Sequence, residues 1–212
     1  MERTPRRALI VIDVQNDYIS GKLPIDYPSV ERSLAAIGRA MDAAGKAAVP
    51  VVAVQNILGE EMPFMARGTT GAELHPGIAQ RGWDHLVQKE LPSALSETGL
   101  VEWLRERRID TITLVGYMTH NCVLSTALHG AHLGFAVELL SDATGSLPYA
   151  NAAGSATAEE IQRVCLVVMH SRFATVITTD QWISALTSGQ TPKRDSIFAS
   201  NQRARQARTG RG

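Results

Sequence analysis

The chain has 212 residues, 44% of them hydrophobic and 20% charged, with 21 basic side chains balanced by 21 acidic ones. A length near the upper end of the roughly 100–200 residues of an ordinary domain fits a single domain with a full core. Zero formal charge argues against a nucleic-acid partner or an anionic membrane surface as its main business. Two cysteines exclude a disulfide framework, and no apolar run approaches the ~18 residues of a membrane span. The opening MERTPRRALIVIDV is a basic stretch and a short apolar run stopped at Asp13, which does not read as a secretory leader, so the expected location is cytoplasmic.

ALIVIDV (8–14) is the first candidate strand, and the spacing of Val30, Leu34, Ile37 and Met41 ahead of Gly45 predicts a helix over 28–45. AVPVVAVQ (48–55) follows as a second strand. Residues 56–83, with Pro63, Gly68, Gly71, Pro76 and Gly77, read as a long loop of the kind that serves as a lid or binding loop. DHLVQK (84–89) is a third strand, and Leu100, Trp103 and Leu104 before the basic RERR predict a helix over 95–107. TITLVGY (111–117), FAVELLS (135–141) and FATVITT (173–179) are further strands, separated by helices over 121–133 and 157–170. Several strands are nearly continuous in Val, Ile and Leu, as strands buried on both faces are. Strand–helix alternation implies βαβ units and a parallel sheet covered on both sides. The domain is expected to span 1–187. Residues 188–212 form a polar, basic tail, with Lys193, Arg194, Arg203, Arg205, Arg208 and Arg211 against Asp195 alone. That composition predicts a solvated, mobile segment, with an oligomer-docking arm as the alternative.

In a doubly wound parallel sheet, ligands bind beyond the carboxyl ends of the strands. Asp13, Gln15, Asn16 and Asp17 lie just past the first strand, Gln55 and Asn56 past the second, and Lys89 closes the third. The fourth leads through Gly116, Tyr117, Met118 and Thr119 to Cys122. An acid, a base and a thiol therefore converge on one sheet edge. Cys122 falls where a strand-to-helix turn becomes helix, so the helix dipole and a neighbouring Lys89 are expected to lower its pKa. Asp13 directly follows ALIVI, where an unpaired carboxylate would be costly, so it needs a partner; Lys89 and Cys122 are the candidates. Cys165, on the apolar stripe of a helix, reads as a structural residue.

ALIVIDVQNDY, the lysine of VQKELPSAL and GYMTHNCVLSTALHGAHLGFAVELLSDATGS together resemble the isochorismatase-like cysteine hydrolases, over residues 7 to about 185. GTTGAELHPGI (68–78) is similar to the loop ahead of the lysine in many members. The resemblance implies a three-layer α/β/α fold around a doubly wound, six-stranded parallel sheet. It also implies an Asp–Lys–Cys triad that hydrolyses amide, carbamoyl or ureido C–N bonds through a thioester, without a cofactor. Carried over by motif, Asp13 is the general base, Lys89 its electrostatic partner and Cys122 the nucleophile. The resemblance further implies a cis peptide at Tyr117–Met118 and an oxyanion hole from the N–H groups of Met118 and Cys122. Gln15, Tyr18, Asn56 and Tyr117 are candidate substrate-binding residues; Phe64, Trp83 and Tyr149 are further candidate pocket walls.

Nicotinamidases in that family hold a metal with an Asp-x-His pair after the second strand and a further His. Here Asn56 and Leu58 stand in those places, so no metal site is expected, and His75 is left as a loop or capping residue. The vinyl-ether-cleaving isochorismatases lack the nucleophilic cysteine, which is present here. His120 is expected to support the site rather than form a dyad with Cys122. The expected activity is metal-independent hydrolysis of a C–N bond in a small molecule, by a homodimer or homotetramer with no nucleic-acid or membrane partner. A non-catalytic binding or scaffold subunit of the same fold and a vinyl-ether hydrolase are the alternatives.

Overall fold

The computed structural model describes residues 4–189 and 192–209. Of the basic tail, Arg211 lies outside the described residues. In chain order the elements begin with β1 (Arg7–Ile12), the short α1 (Asn16–Ile19), α2 (Val30–Lys46), β2 (Val51–Asn56), α3 (Pro76–Ala79) and β3 (His85–Lys89). They continue with α4 (Leu100–Glu106), β4 (Thr111–Tyr117), α5 (Leu124–His132) and β5 (Ala136–Gly145). The hairpin β6 (Tyr149–Asn151) and β7 (Gly154–Ala156) is followed by α6 (Ala158–Arg172), β8 (Thr175–Ile177), α7 (Thr179–Ser188) and α8 (Ile197–Thr209). Six strands form one parallel sheet in the order β3-β2-β1-β4-β5-β8. The order reverses direction between β1 and β4, which makes their carboxyl ends the switch point of the doubly wound sheet.

Alternate residues of each strand feed two cores, which is the physical origin of the three layers. Leu9 and Val11 of β1 pack with Val115, Leu140, Ile37 and Met41 of α2, and Trp182 of α7. Ala8, Ile10 and Ile12 pack on the other face with Val52, Val54, Leu100 and Leu104 of α4, Ala127 of α5 and Met169 of α6. At the amino ends of the strands a buried ion pair ties β1, β4 and β5 to α7. The Arg7 guanidinium donates to both Glu138 carboxylate oxygens at 2.9–3.1 Å, and Glu138 Oε2 also accepts from Thr113 Oγ1 at 2.8 Å and Trp182 Nε1 at 3.0 Å.

Two elements depart from the sequence reading. Helix α7 continues straight from β8, capped by Thr178 and Gln181 bonding to each other's backbone N–H groups, and it buries Trp182 completely. Part of the segment read as a mobile tail is the helix α8, whose Phe198 is 74% exposed. The long 56–83 stretch is also less loop-like than expected. It contains α3, a 3₁₀ turn at Thr70–Ala72, and bridges that pair Leu58 with Ala66 and Leu74 with Gln15. His75 caps α3, its Nδ1 accepting from the Gly77 N–H at 3.1 Å. Among the described residues no helix is long and apolar enough to cross a membrane.

Candidate active site

Each reacting side chain reaches the site because a strand ends there. β1 stops at Ile12, and Asp13 turns out of the sheet with φ +51°, a left-handed conformation that Asp tolerates better than most side chains. Its own N–H still donates to the Val54 carbonyl at 3.0 Å, which fixes the turn against β2. Lys89 is the last residue of β3, with its side chain fully buried. β4 approaches β1 so closely at Gly116 that a Cβ there would sit 2.0 Å from the Ile12 carbonyl oxygen, and its φ of +106° suits glycine alone. The Tyr117–Met118 peptide is cis, and a π-helical turn over Thr119–Val123 then presents Cys122 at the head of α5. Thr126 anchors that turn, donating to the Cys122 carbonyl at 2.7 Å while accepting from the Ala94 N–H at 3.0 Å.

The three residues singled out from the sequence meet in one buried cluster. Lys89 Nζ is 2.8 Å from Asp13 Oδ2, 3.4 Å from Cys122 Sγ and 3.5 Å from Asn56 Oδ1, so all three ammonium hydrogens have a direction to point. Asp13 is wholly buried, yet its Oδ1 accepts no hydrogen bond, and Oδ2 meets Lys89 as an ion pair without good hydrogen-bond alignment. A buried carboxylate with an unused acceptor beside a thiol is poised to take a proton. Burial pushes the Asp13 pKa above its ordinary value, more than the Lys89 charge lowers it. Lys89 is raised because the attraction of Asp13 and Cys122 outweighs the cost of its burial.

The Cys122 thiol is pushed up to about 12, by burial first and by the Asp13 carboxylate second, against the opposing pull of Lys89. Lys89 does pull the thiol down as expected, but burial and Asp13 outweigh it, so the net shift runs opposite to the expected one. With only 3% of its surface exposed, Cys122 rests as a neutral thiol and needs a base to become a nucleophile. Asp13 is the adjacent base.

The candidate substrate-binding residues divide. Tyr18 is buried, packed edge-on against Tyr117 with ring centroids 6.0 Å apart, and burial together with the Asp13 and Cys122 charges raises its pKa. Gln15 is fully buried and fully employed: Oε1 accepts from the Asn56 N–H, and Nε2 donates to the Asn56 and Ala72 carbonyls. It clamps β1 to the 56–83 segment and has no group left for a substrate. Asn56 is likewise occupied, receiving Lys89 on Oδ1 and directing Nδ2 at the Met65 sulfur 3.6 Å away. Tyr117 is 0% exposed and its hydroxyl bonds Ser33 on α2 at 2.7 Å, so it belongs to the core and not to the pocket. Trp83 is also misplaced as a pocket wall: it lies with Met41, Val49 and Val51 at the amino ends of the strands, opposite the cluster. Phe64 is half-buried against the α2-side core.

For two residues near the site the sequence showed no partners. Asp17 holds the 56–83 segment in place, its carboxylate accepting from the Met65 N–H at 2.6 Å and the Lys22 N–H at 3.0 Å. His120 spans Ser146 Oγ, 3.1 Å from Nδ1, and Tyr149 Oη, 2.9 Å from Nε2. Where a metal-binding member carries Asp and His, Asn56 is engaged with Lys89 and Leu58 offers no donor. Among the described residues no three His, Cys, Asp or Glu side chains cluster as a metal ion would require.

Residues 7–181 match the family model of the isochorismatase domain. A secreted isochorismatase effector from Verticillium dahliae is 30% identical over 178 residues, which cover 83% of this chain and 90% of that protein. A nicotinamidase/pyrazinamidase from Mycobacterium tuberculosis is 30% identical over 168 residues, covering 66% of this chain and 87% of the relative. A crystal structure of a candidate isochorismatase from Burkholderia xenovorans LB400 superposes with a TM-score of 0.96 at 59% identity, over 98% of this chain and 100% of the other. A buried cluster of Asp13, Lys89 and Cys122 at the carboxyl edge of the sheet thus coincides with a family match that spans the whole sheet, and the chain belongs to the isochorismatase family.

Proposed function

We propose that the protein hydrolyses a C–N bond of a small amide, carbamoyl or ureido compound through a thioester on Cys122. The observation that carries this reading is the contact of one ammonium, Lys89 Nζ, with both the Asp13 carboxylate and the Cys122 sulfur in a buried site. Asp13 takes the thiol proton as sulfur attacks the substrate carbonyl carbon, forming the S–C bond. The tetrahedral oxyanion is assigned to the backbone N–H groups of Met118 and Cys122, at the start and within the turn that follows β4. Collapse breaks the C–N bond, and the leaving nitrogen departs with the proton held by Asp13. Water then attacks the thioester, giving one proton to Asp13, which returns it to the departing sulfur. Lys89 holds Asp13 in place and balances its charge throughout.

The amide chemistry named for the Mycobacterium tuberculosis relative supports this substrate class. Ammonia or amine release from a panel of small amides, ureides and carbamoyl compounds tests it. Release should stop when Cys122 is alkylated, and alkylation confined to Cys165 should leave it intact. Release that survives full Cys122 alkylation would refute the nucleophile assignment.

A further inference from the structure

Four polar side chains from separate parts of the chain form one hydrogen-bonded line that runs from the core to the rim of the site. Gln162 of α6 is nearly fully buried, and its Nε2 faces the Thr144 Oγ1 at 3.2 Å and the Ser141 and Thr144 carbonyls at 3.4 and 3.5 Å. Reversing that amide would set its oxygen against two carbonyl oxygens, so Nε2 must face them and Oε1 must point the other way. Oε1 meets Ser146 Oγ at 2.8 Å and can only accept, so the single Ser146 hydroxyl hydrogen is spent on it. Ser146 Oγ can then serve His120 only as an acceptor, and the ring carries its hydrogen on Nδ1. Burial lowers the His120 pKa and favours the neutral ring, whose Nε2 is a bare lone pair.

That lone pair faces Tyr149 Oη at 2.9 Å, so the tyrosine hydroxyl hydrogen goes to His120. The Met118 sulfur, 3.8 Å from the same oxygen, is too weak an acceptor to compete for it. The remaining face of Tyr149 Oη offers only lone pairs. Its ring meets His120 edge-on, with centroids 5.1 Å apart, and the residue is 44% exposed on β6, while its oxygen reaches back to Met118 in the turn that carries Cys122.

We propose that Tyr149 is a specificity-determining residue: the Gln162–Ser146–His120 line fixes its oxygen as a pure acceptor, which takes a hydrogen bond from a substrate N–H at the rim of the site. The site therefore prefers primary amides, ureas and carbamoyl groups to their N,N-dialkyl counterparts. His120, Ser146 and Gln162 are positioning residues that act through Tyr149. This inference rests on the proposed role of Cys122, and alkylation of that thiol tests both without a known substrate.

Iodoacetamide carries the amide N–H₂, and N,N-dimethyliodoacetamide lacks it. The rate of Cys122 modification by each is read by peptide mass spectrometry in the wild type, Tyr149→Phe and Ser146→Ala. The bulk of the two methyl groups is common to all three proteins, so the change in the rate ratio between proteins isolates the hydrogen bond. The wild-type preference for iodoacetamide should fall about tenfold in Tyr149→Phe, as expected for one lost hydrogen bond. It should fall in Ser146→Ala also, where Tyr149 is intact but the His120 hydrogen is no longer pinned to Nδ1. In the wild type the ¹⁵N spectrum should show a protonated Nδ1 and a bare Nε2 on His120. An unchanged ratio in Tyr149→Phe, or a His120 ring protonated on Nε2, would overturn the inference while leaving Cys122 as nucleophile. A Cys122 that resists both reagents while Cys165 reacts would overturn the proposed function and this inference with it.

Discussion

Cys122→Ala should lower kcat/KM by about 10⁴-fold or more, with little change in far-UV circular dichroism or thermal midpoint. On the proposed mechanism the substitution removes the acyl-forming sulfur, and its loss leaves a modest gap in the α5-side core that Ala127 and Val123 share. The residual rate should reflect substrate held against the oxyanion donors and attacked directly by water. Cys122→Ser is expected to be nearly as inactive. A hydroxyl is harder to deprotonate than a thiol that already stands at about 12 in this buried position. Near wild-type turnover in either variant, measured by product release, would remove Cys122 from the mechanism.

Asp13→Asn should cost about 10³-fold in kcat/KM, and the pH profile should show why. As a base, Asp13 works only when deprotonated, so wild-type activity should rise with pH as the carboxyl loses its proton. Burial raises that pKa above 3.8, so the acid limb lies above the ordinary aspartate range. The asparagine variant should lack this limb. It also strands the Lys89 ammonium in a site with 0% side-chain exposure, and breaking a buried pair typically costs about 3–5 kcal/mol. Rates therefore need to be taken well below the variant's own melting temperature. An unchanged acid limb in Asp13→Asn would assign that titration to another group.

The strands and the cluster were legible because both follow from local sequence. ALIVI is apolar on every residue and TITLV is interrupted only by Thr111 and Thr113, as suits strands buried between two helical layers, and the residues just past such strands face the switch point. Asp13, Lys89 and Cys122 could be singled out on that ground before any resemblance entered. What could not be read depends on contacts between distant segments. Gln15 and Tyr117 sit beside the motif residues in sequence, yet Gln15 is spent on Asn56 and Ala72, and Tyr117 on Ser33. The polarity of Tyr149 is set by Gln162 through Ser146 and His120, a chain of four residues with no common motif.

The sign of the Cys122 shift was missed for a related reason. Sequence shows a lysine and a helix start near the thiol, but it does not show that burial and the Asp13 carboxylate outweigh them. Helix α7 did carry a readable signal, since Thr178 and Gln181 have the spacing of a capping box directly after an apolar strand. Helix α8 carried none. Its residues IFASNQRARQART show no apolar stripe, and polar composition alone favours reading such a segment as a solvated tail.

The thioester is the central claim, and intact-mass spectrometry of enzyme quenched during turnover tests it most directly. With a substrate from the ammonia-releasing panel, the protein should gain the acyl mass, equal to substrate minus ammonia, on the peptide that contains Cys122. The gain should disappear when substrate is exhausted and should be absent from Cys122→Ala. Steady turnover with no adduct under conditions where deacylation is slowed, or an adduct on any other residue, would contradict the mechanism.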